Sequence, residues 1–370
     1  MSTPAPDDRP ADGPTDGAAD PLAGRPAGVP AGTPYHRLAH LREAWARPAR
    51  PVLTALVAII AYVVLASILL VAVVTVLALA PGSPQELGTR LGDPASPLAV
   101  LVTLAMGALW IPAALIGVRF GGWRPVRWLL GVVGSFRWDL VRSAAVPVVA
   151  ASVLGTVLVA LLVAGLGGGV AAEPAAIGPA ILAGILAAVL GIAKAVGAEL
   201  ALRGMLLQAI GTWLRSPVLT IGLAALVSLA AASYSAPGLV IAAAMGVACG
   251  YLAWRSGGLE LPILLTASLT AGGGIVAVLL RIVAGSVALG AAEPASGASL
   301  AAEQLGRTAT GAASIPGVAS ATVPGAIGIG LLALIIAALL GRWIGRREQL
   351  AAAEPVRRSA DAPAPQPVAV

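Results

Sequence analysis

Ala198-Glu199-Leu200-Ala201-Leu202-Arg203-Gly204 sets a carboxylate and a guanidinium four positions apart in a stretch that is apolar on both sides. On a helix, side chains at i and i+4 share a face, so the two heads meet. Meeting reduces the cost of carrying charge into a bilayer, roughly 2.5 to 3.5 kcal/mol per ionisable side chain on insertion scales. The stretch therefore reads as a membrane-crossing helix. A charge retained at that cost is a functional hypothesis by default.

The rest of the chain agrees with that reading. Apolar residues make up 58% of 370, charged residues 11%, and the mean hydropathy is +0.92. That balance lies outside the range of soluble globular domains. Runs of about 17 to 25 apolar residues, enough to cross a hydrocarbon core of about 30 Å, recur along the sequence. Eight spans are expected: about 52–80, 97–118, 143–167, 179–212, 217–236, 238–254, 260–284 and 325–344. The fold class is thus all-α, a polytopic transmembrane helical bundle. The single cysteine, Cys249, excludes an intrachain disulfide and a cysteine-based metal cluster. No cleaved signal peptide is expected, because the first apolar run starts near residue 52 and is too long.

Three regions follow from composition. Residues 1–50 read as a disordered Pro/Gly/Ala/Asp-rich N-terminal tail. It ends in a basic juxtamembrane segment with Arg37, Arg42, Arg47 and Arg50. Residues 51–345 form the transmembrane domain, with a flexible external loop at about 285–324. Residues 346–370 read as a disordered C-terminal tail, starting at Arg346 and Arg347. The net charge of +6 is spread over helix ends rather than gathered in a patch, so nucleic acid is not an expected partner.

That charge sets topology instead. The segment 119–142 holds Arg119, Arg124, Arg127, Arg137 and Arg142 against one acid, Asp139, and the turns near 215 and 255 each hold an arginine. The alternate loops hold Glu86, Arg90 and Asp93, then Glu173, then Glu293, Glu303 and Arg307. By the positive-inside rule both termini are cytoplasmic, in a multi-pass protein of the inner membrane. Seven of the eight tryptophans fall at the same ends, as an interfacial belt requires. The 119–142 segment is too Arg-rich to span, and is expected to lie on the surface with Trp and Leu among headgroups.

Two stretches then carry a family resemblance. The first is Glu199-Leu-Ala-Leu-Arg203-Gly204-Met-Leu-Leu-Gln208, and the second is Tyr251-Leu-Ala-Trp-Arg-Ser-Gly257-Gly258-Leu-Glu260-Leu-Pro-Ile-Leu-Leu. Over about 180–285 the chain resembles the CPBP family, type II CAAX-protease-like intramembrane metalloproteases also called ABI proteins. It looks especially like the actinobacterial branch, where an Arg-Thr-Gly-Gly-Leu-Glu turn is common. The resemblance implies a CPBP-type core in spans 4–7. The family pattern is Glu-Glu-x-x-x-Arg-Gly, then Phe-x-x-x-His, then His-x-x-x-Asn. Here the first Glu, which the family uses to activate water, is Ala198. The second-motif His falls at Ser235, or at Tyr234 with a one-residue slip, and the Phe at Ala231. The third-motif His and Asn fall at Thr266 and Thr270. The vestigial-site candidates implied are therefore Glu199, Arg203, Ser235, Thr266 and Thr270.

The residues alone support the departure. Hydrolysis needs a base near neutral pKa, or a metal held by His, Cys or carboxylate. The spans hold one carboxylate well inside, Glu199, and the adjacent Arg203 makes it a poorer base. The only histidines, His36 and His40, lie in the N-terminal tail. Depth permits a shared cavity. Glu199 lies about 21 Å of helix above the turn near 213, Ser235 about 28 Å from that turn, and Thr266 about 12 Å past the next. Small residues at Gly197, Gly204, Ala271, Gly272, Gly273 and Gly274 let these helices approach closely.

Each feature also has a plainer reading. Glu199 and Arg203 serve equally as a self-neutralising pair locking two helices; ligand contact and catalysis stay open beside it. Lys194, the only lysine, snorkels or pairs with a carbonyl. A Ser–Lys dyad with Ser228, Ser233 or Ser235 lacks a nucleophile elbow. His36 and His40, with Glu43, have helical metal spacing but suit a solvated face.

The expected function is that of a CPBP/CAAX-protease-like integral membrane protein, catalytically degenerate, that binds, scaffolds or regulates a membrane partner. Its partners would be membrane lipids and a membrane protein or lipidated peptide, and no metal or cofactor is expected. One alternative is an active intramembrane metalloendopeptidase with a rearranged site, which would need zinc. Another is a small-solute or lipid transporter, which predicts polar residues on several spans and an internal repeat.

Overall fold

A backbone in hydrocarbon must satisfy its own N–H and C=O groups, so each long apolar run resolves as a helix. The computed structural model describes residues 32–79, 91, 96–122, 124–165, 177–230, 232, 235–288 and 322–359. Its helices are α1 (Ala49–Leu79), α2 (Pro97–Ala108), α3 (Trp110–Ile116), α4 (Arg127–Leu130), α5 (Trp138–Gly165) and α6 (Ile177–Glu199). They continue as α7 (Leu207–Trp213), α8 (Pro217–Ala230), α9 (Ala236–Ser256), α10 (Glu260–Ala288) and α11 (Val323–Arg347). Wider π-helical turns extend α3 over Gly117–Gly121 and join α6 to α7 over Leu200–Leu206.

Read as continuous rods, the described residues make eight helical segments near the eight spans expected. Six are long and apolar enough to cross a membrane by length and composition. The pass expected over 217–236 is shorter: α8 stops at Ala230, giving 14 residues, about 21 Å. The chain is a multi-pass membrane bundle. α6 lies between α2 and α10, α5 packs on α10 and α11, and α9 packs on α11 and α8. Leu140, Ile241, Leu265 and Ile336 belong to the core joining α5, α9, α10 and α11. At Gly197 a Cβ would stand 2.6 Å from the Gly107 carbonyl oxygen, so α2 and α6 meet backbone to backbone.

The arginine-rich end is built differently from its sequence reading. Thr33–Pro34 pairs antiparallel with Arg357–Arg358, and Tyr35–Leu41 forms a 3-10 helix between this ribbon and the bundle. Both flanks expected to be disordered are thus folded over 33–50 and 346–359, and the two ends meet at one face. The cause is local. Tyr35, Leu38 and Ala39 are buried in a second core with Leu129, Leu207 and Leu259, an apolar anchor too short to outweigh the surrounding Pro/Ala-rich composition. His36, expected on a solvated face, is 2% exposed. The outer tails, 1–31 and 360–370, and the loop from 289 to 321 lie outside the described residues.

The 119–142 segment is a second correction. Trp128 and Leu129 are buried in the protein rather than among headgroups. The Val132 N–H donates to the Gly257 carbonyl at 2.8 Å, and the Leu259 N–H to the Leu130 carbonyl at 2.9 Å. Gly257, at φ 71°, ends α9 in the left-handed conformation that glycine adopts without penalty. The tryptophan belt is correspondingly partial: Trp138 and Trp213 face outward, while Trp45 and Trp128 are interior.

Candidate functional site

Glu199 is the last residue of α6, where the backbone widens into the π-helical turn. Such turns are frequent at functional sites. Glu199 is 1% exposed and Arg203 4%. The Thr266 hydroxyl, from α10, donates to Glu199 Oε1 at 2.7 Å. Arg203 Nε lies 3.4 Å from Glu199 Oε2, and that oxygen accepts no hydrogen bond. Arg203 instead turns Nη2 to the Met245 carbonyl on α9, at 2.8 Å. One charged pair therefore ties α6, α9 and α10 together at mid-helix.

A fourth group completes the arrangement. Cys249, one turn beyond Met245, has its Sγ 3.4 Å from Thr266 Oγ1. The threonine has given its only proton to Glu199, so the thiol donates to the threonine oxygen. The result is a relay from Cys249 through Thr266 to Glu199. Thr270 lies a turn further along α10, and its hydroxyl donates to the Thr266 carbonyl at 2.8 Å. Ser235 serves the backbone: its Oγ accepts from the Gly238 N–H at 3.2 Å as the N-cap of α9. The Tyr234 alternative lies outside the described residues. Lys194 is buried on α6 with its stem packed over Gly107.

Of the five candidates, Glu199, Arg203 and Thr266 are thus brought into direct contact, with Thr270 bonded to the same turn of α10. Cys249 and the Met245 carbonyl are additions. Their i,i+4 spacing on α9 is visible in sequence, but an apolar run gives a lone thiol and a backbone carbonyl no chemical signal.

A zinc site wants three or four ligands drawn from thiolate, imidazole and carboxylate. This cluster offers one carboxylate, one thiol and two threonine hydroxyls, with a guanidinium against the carboxylate. Among the described residues no three His, Cys, Asp or Glu side chains group in a metal-binding arrangement. The donor set does not fit the metal. Both imidazoles are at the arginine-rich end, His36 Nε2 on the Arg215 carbonyl and His40 Nε2 on the Thr212 carbonyl. Burial pushes His36 down to about 4, so it is neutral at physiological pH.

A second carboxylate, quoted above only as part of the Gly-Gly-Leu-Glu turn, is also buried. Glu260, 0% exposed, opens α10 and accepts from Arg137 Nε and Nη2, both at 2.9 Å, and from the Arg137 N–H at 3.1 Å. Burial works against the Arg137 charge, but the Glu260 carboxylate outweighs it and holds the guanidinium above its usual range. The partners are 123 positions apart, a separation with no signature in sequence.

Comparison with known proteins bears on the same helices. Residues 179–272 match the family described as Type II CAAX prenyl endopeptidase Rce1-like. The match covers about a quarter of the chain and runs from early α6 to just past Thr270. No curated protein and no solved structure matches the chain.

Proposed function

We propose, from the premise that residues 179–272 are type II CAAX prenyl endopeptidase-like, that this membrane protein is a non-hydrolytic relative of those proteases. It keeps their helix scaffold around a polar cluster and uses it to bind or regulate a membrane protein or lipidated peptide. The observation that carries this reading is the closed relay at Glu199. Its carboxylate is held by Thr266 and Arg203, and Ala198 occupies the position where the resembling proteases carry their water-activating glutamate. The arginine-rich end is assigned to the cytoplasmic side of the inner membrane by the positive-inside rule.

The test is metal content with peptidase activity. Purified full-length protein is expected to hold no stoichiometric zinc and to leave prenylated CAAX peptides intact. A chelator-sensitive metal, with cleavage abolished by Glu199→Gln, would overturn the proposal in favour of an active metalloendopeptidase. The family match itself favours that second reading.

A further inference from the structure

At the arginine-rich end, the base of α1 meets the start of α7 across a small cleft, about 20 Å³ of enclosed room that opens to the surroundings. Arg50 and Thr54 of α1, Arg124, and Gln208 and Ala209 of α7 line it, with Trp45 at its edge. No carboxylate is among its walls. Gly121 and Gly122 bring the Arg124 loop against α1, because a Cβ at Gly121 would stand 2.5 Å from the Leu53 carbonyl oxygen.

Two buried groups in this cleft are incomplete. Arg124 is 6% exposed and, among the described residues, pairs with no carboxylate. Burial lowers it to about 10, so it still carries its charge at neutral pH. Gln208 is 0% exposed. Its amide N–H donates to the Trp128 carbonyl at 2.9 Å, while its Oε1 accepts nothing. A buried cation without a counter-charge and a buried acceptor without a donor are both unfavourable until a partner arrives. One ligand satisfies both if it carries a negative charge and a hydroxyl. The surroundings add a third condition. Val52, Leu53 and Leu56, beside the cleft on α1, are exposed apolar side chains.

We propose that this cleft binds the headgroup of an anionic phospholipid bearing a headgroup hydroxyl, such as phosphatidylglycerol. The phosphate sits against Arg124 and Arg50, the hydroxyl donates to Gln208 Oε1, and the acyl chains run along the outer face of α1. Basic pockets between helices at the membrane face are a recurrent means of holding such lipids. This site is separate from the Glu199 cluster, so its test does not depend on the reading of that cluster.

The experiment uses the full chain in neutral detergent, titrated with phosphatidylglycerol, phosphatidylcholine, glycerol phosphate or inorganic phosphate. Thermal unfolding and native mass spectrometry read the result. Phosphatidylglycerol is expected to raise the midpoint and to be retained, whereas phosphatidylcholine and the soluble phosphates do neither. Ala209→Leu, which fills the cleft without changing charge, and Arg124→Gln should each weaken the response roughly tenfold or more. Equal responses to phosphatidylglycerol and phosphatidylcholine would overturn the proposal. Protection by free phosphate would reassign the cleft to a soluble anion and overturn it equally. If Arg124→Gln does not fold, Ala209→Leu decides alone: a wild-type response from it sinks the site.

Discussion

Glu199 and Glu260 are both buried, and both face an arginine, yet they are bonded in opposite ways. Glu260 accepts three hydrogen bonds from Arg137, including a planar two-pronged grip, and both its oxygens are used. Glu199 accepts one, from a threonine, and its second oxygen is left with a guanidinium 3.4 Å away that bonds elsewhere. Bidentate geometry with full satisfaction is what a structural clasp requires. At Glu199 the second oxygen has the Arg203 charge beside it at 3.4 Å but no hydrogen bond, so its acceptor capacity is only partly used. The difference separates a carboxylate clasped at every acceptor from one held by a single hydrogen bond and an ion pair.

The contrast is broken most directly at the clasp. Glu260→Gln strands the Arg137 guanidinium, and should cost about 3 to 5 kcal/mol, as removing one partner of a buried pair does. Denaturant unfolding in detergent measures it, and a loss under about 1 kcal/mol would remove the structural role. Thr266→Val takes away the one hydrogen bond that Glu199 accepts among the described residues, and should cost less, about 1 to 3 kcal/mol. If the two variants prove equal, the distinction drawn here between the carboxylates fails.

A third test separates the folded end from the bundle by pH. His36 is held at about 4 in the fold, below its unfolded value of about 6.5. Between those values only the detached segment takes up the proton. Its docking is therefore stable above pH 6.5 and weakens as pH falls toward 4, on the order of 1 kcal/mol per unit. Protonation would also place a donor on Nδ1, which has no hydrogen-bond partner. Hydrogen exchange of residues 33–41 should accelerate over that window, and His36→Asn should flatten the profile. The smallest effect belongs to Ser235. As a helix cap rather than a ligand, Ser235→Ala should cost about 1 kcal/mol and Ser235→Gly only a few tenths.

Legibility followed the range of the interaction. The opening pair, Glu199 and Arg203, lies within one helix, and its pairing was readable from spacing. Thr266 was placed beside it through the resemblance and a depth argument, and does meet Glu199. Ser235 was placed by the same resemblance, and its hydroxyl caps α9. The segment 119–142 was read from its arginine content as a surface stretch, but Trp128 and Leu129 make it interior. Residues 33–41 were read from their Pro/Gly/Ala-rich neighbourhood as part of a tail. Composition averages over a window, and three or four buried side chains vanish in that average.

The sequence by itself determined that this chain is a helical membrane bundle, and where its long apolar helices fall. In lipid, backbone satisfaction leaves the long apolar runs no alternative to helix. It also set Glu199 and Arg203 within one pass, four positions apart. Only the tertiary structure decided what those groups touch. The relay from Cys249 through Thr266 to Glu199, the clasp of Arg137 on Glu260, and the cleft that leaves Arg124 and Gln208 incomplete each join residues from separate segments of the chain. A side chain's hydrogen-bond partner is fixed by where its helix packs, and periodicity along one strand of sequence carries no term for that.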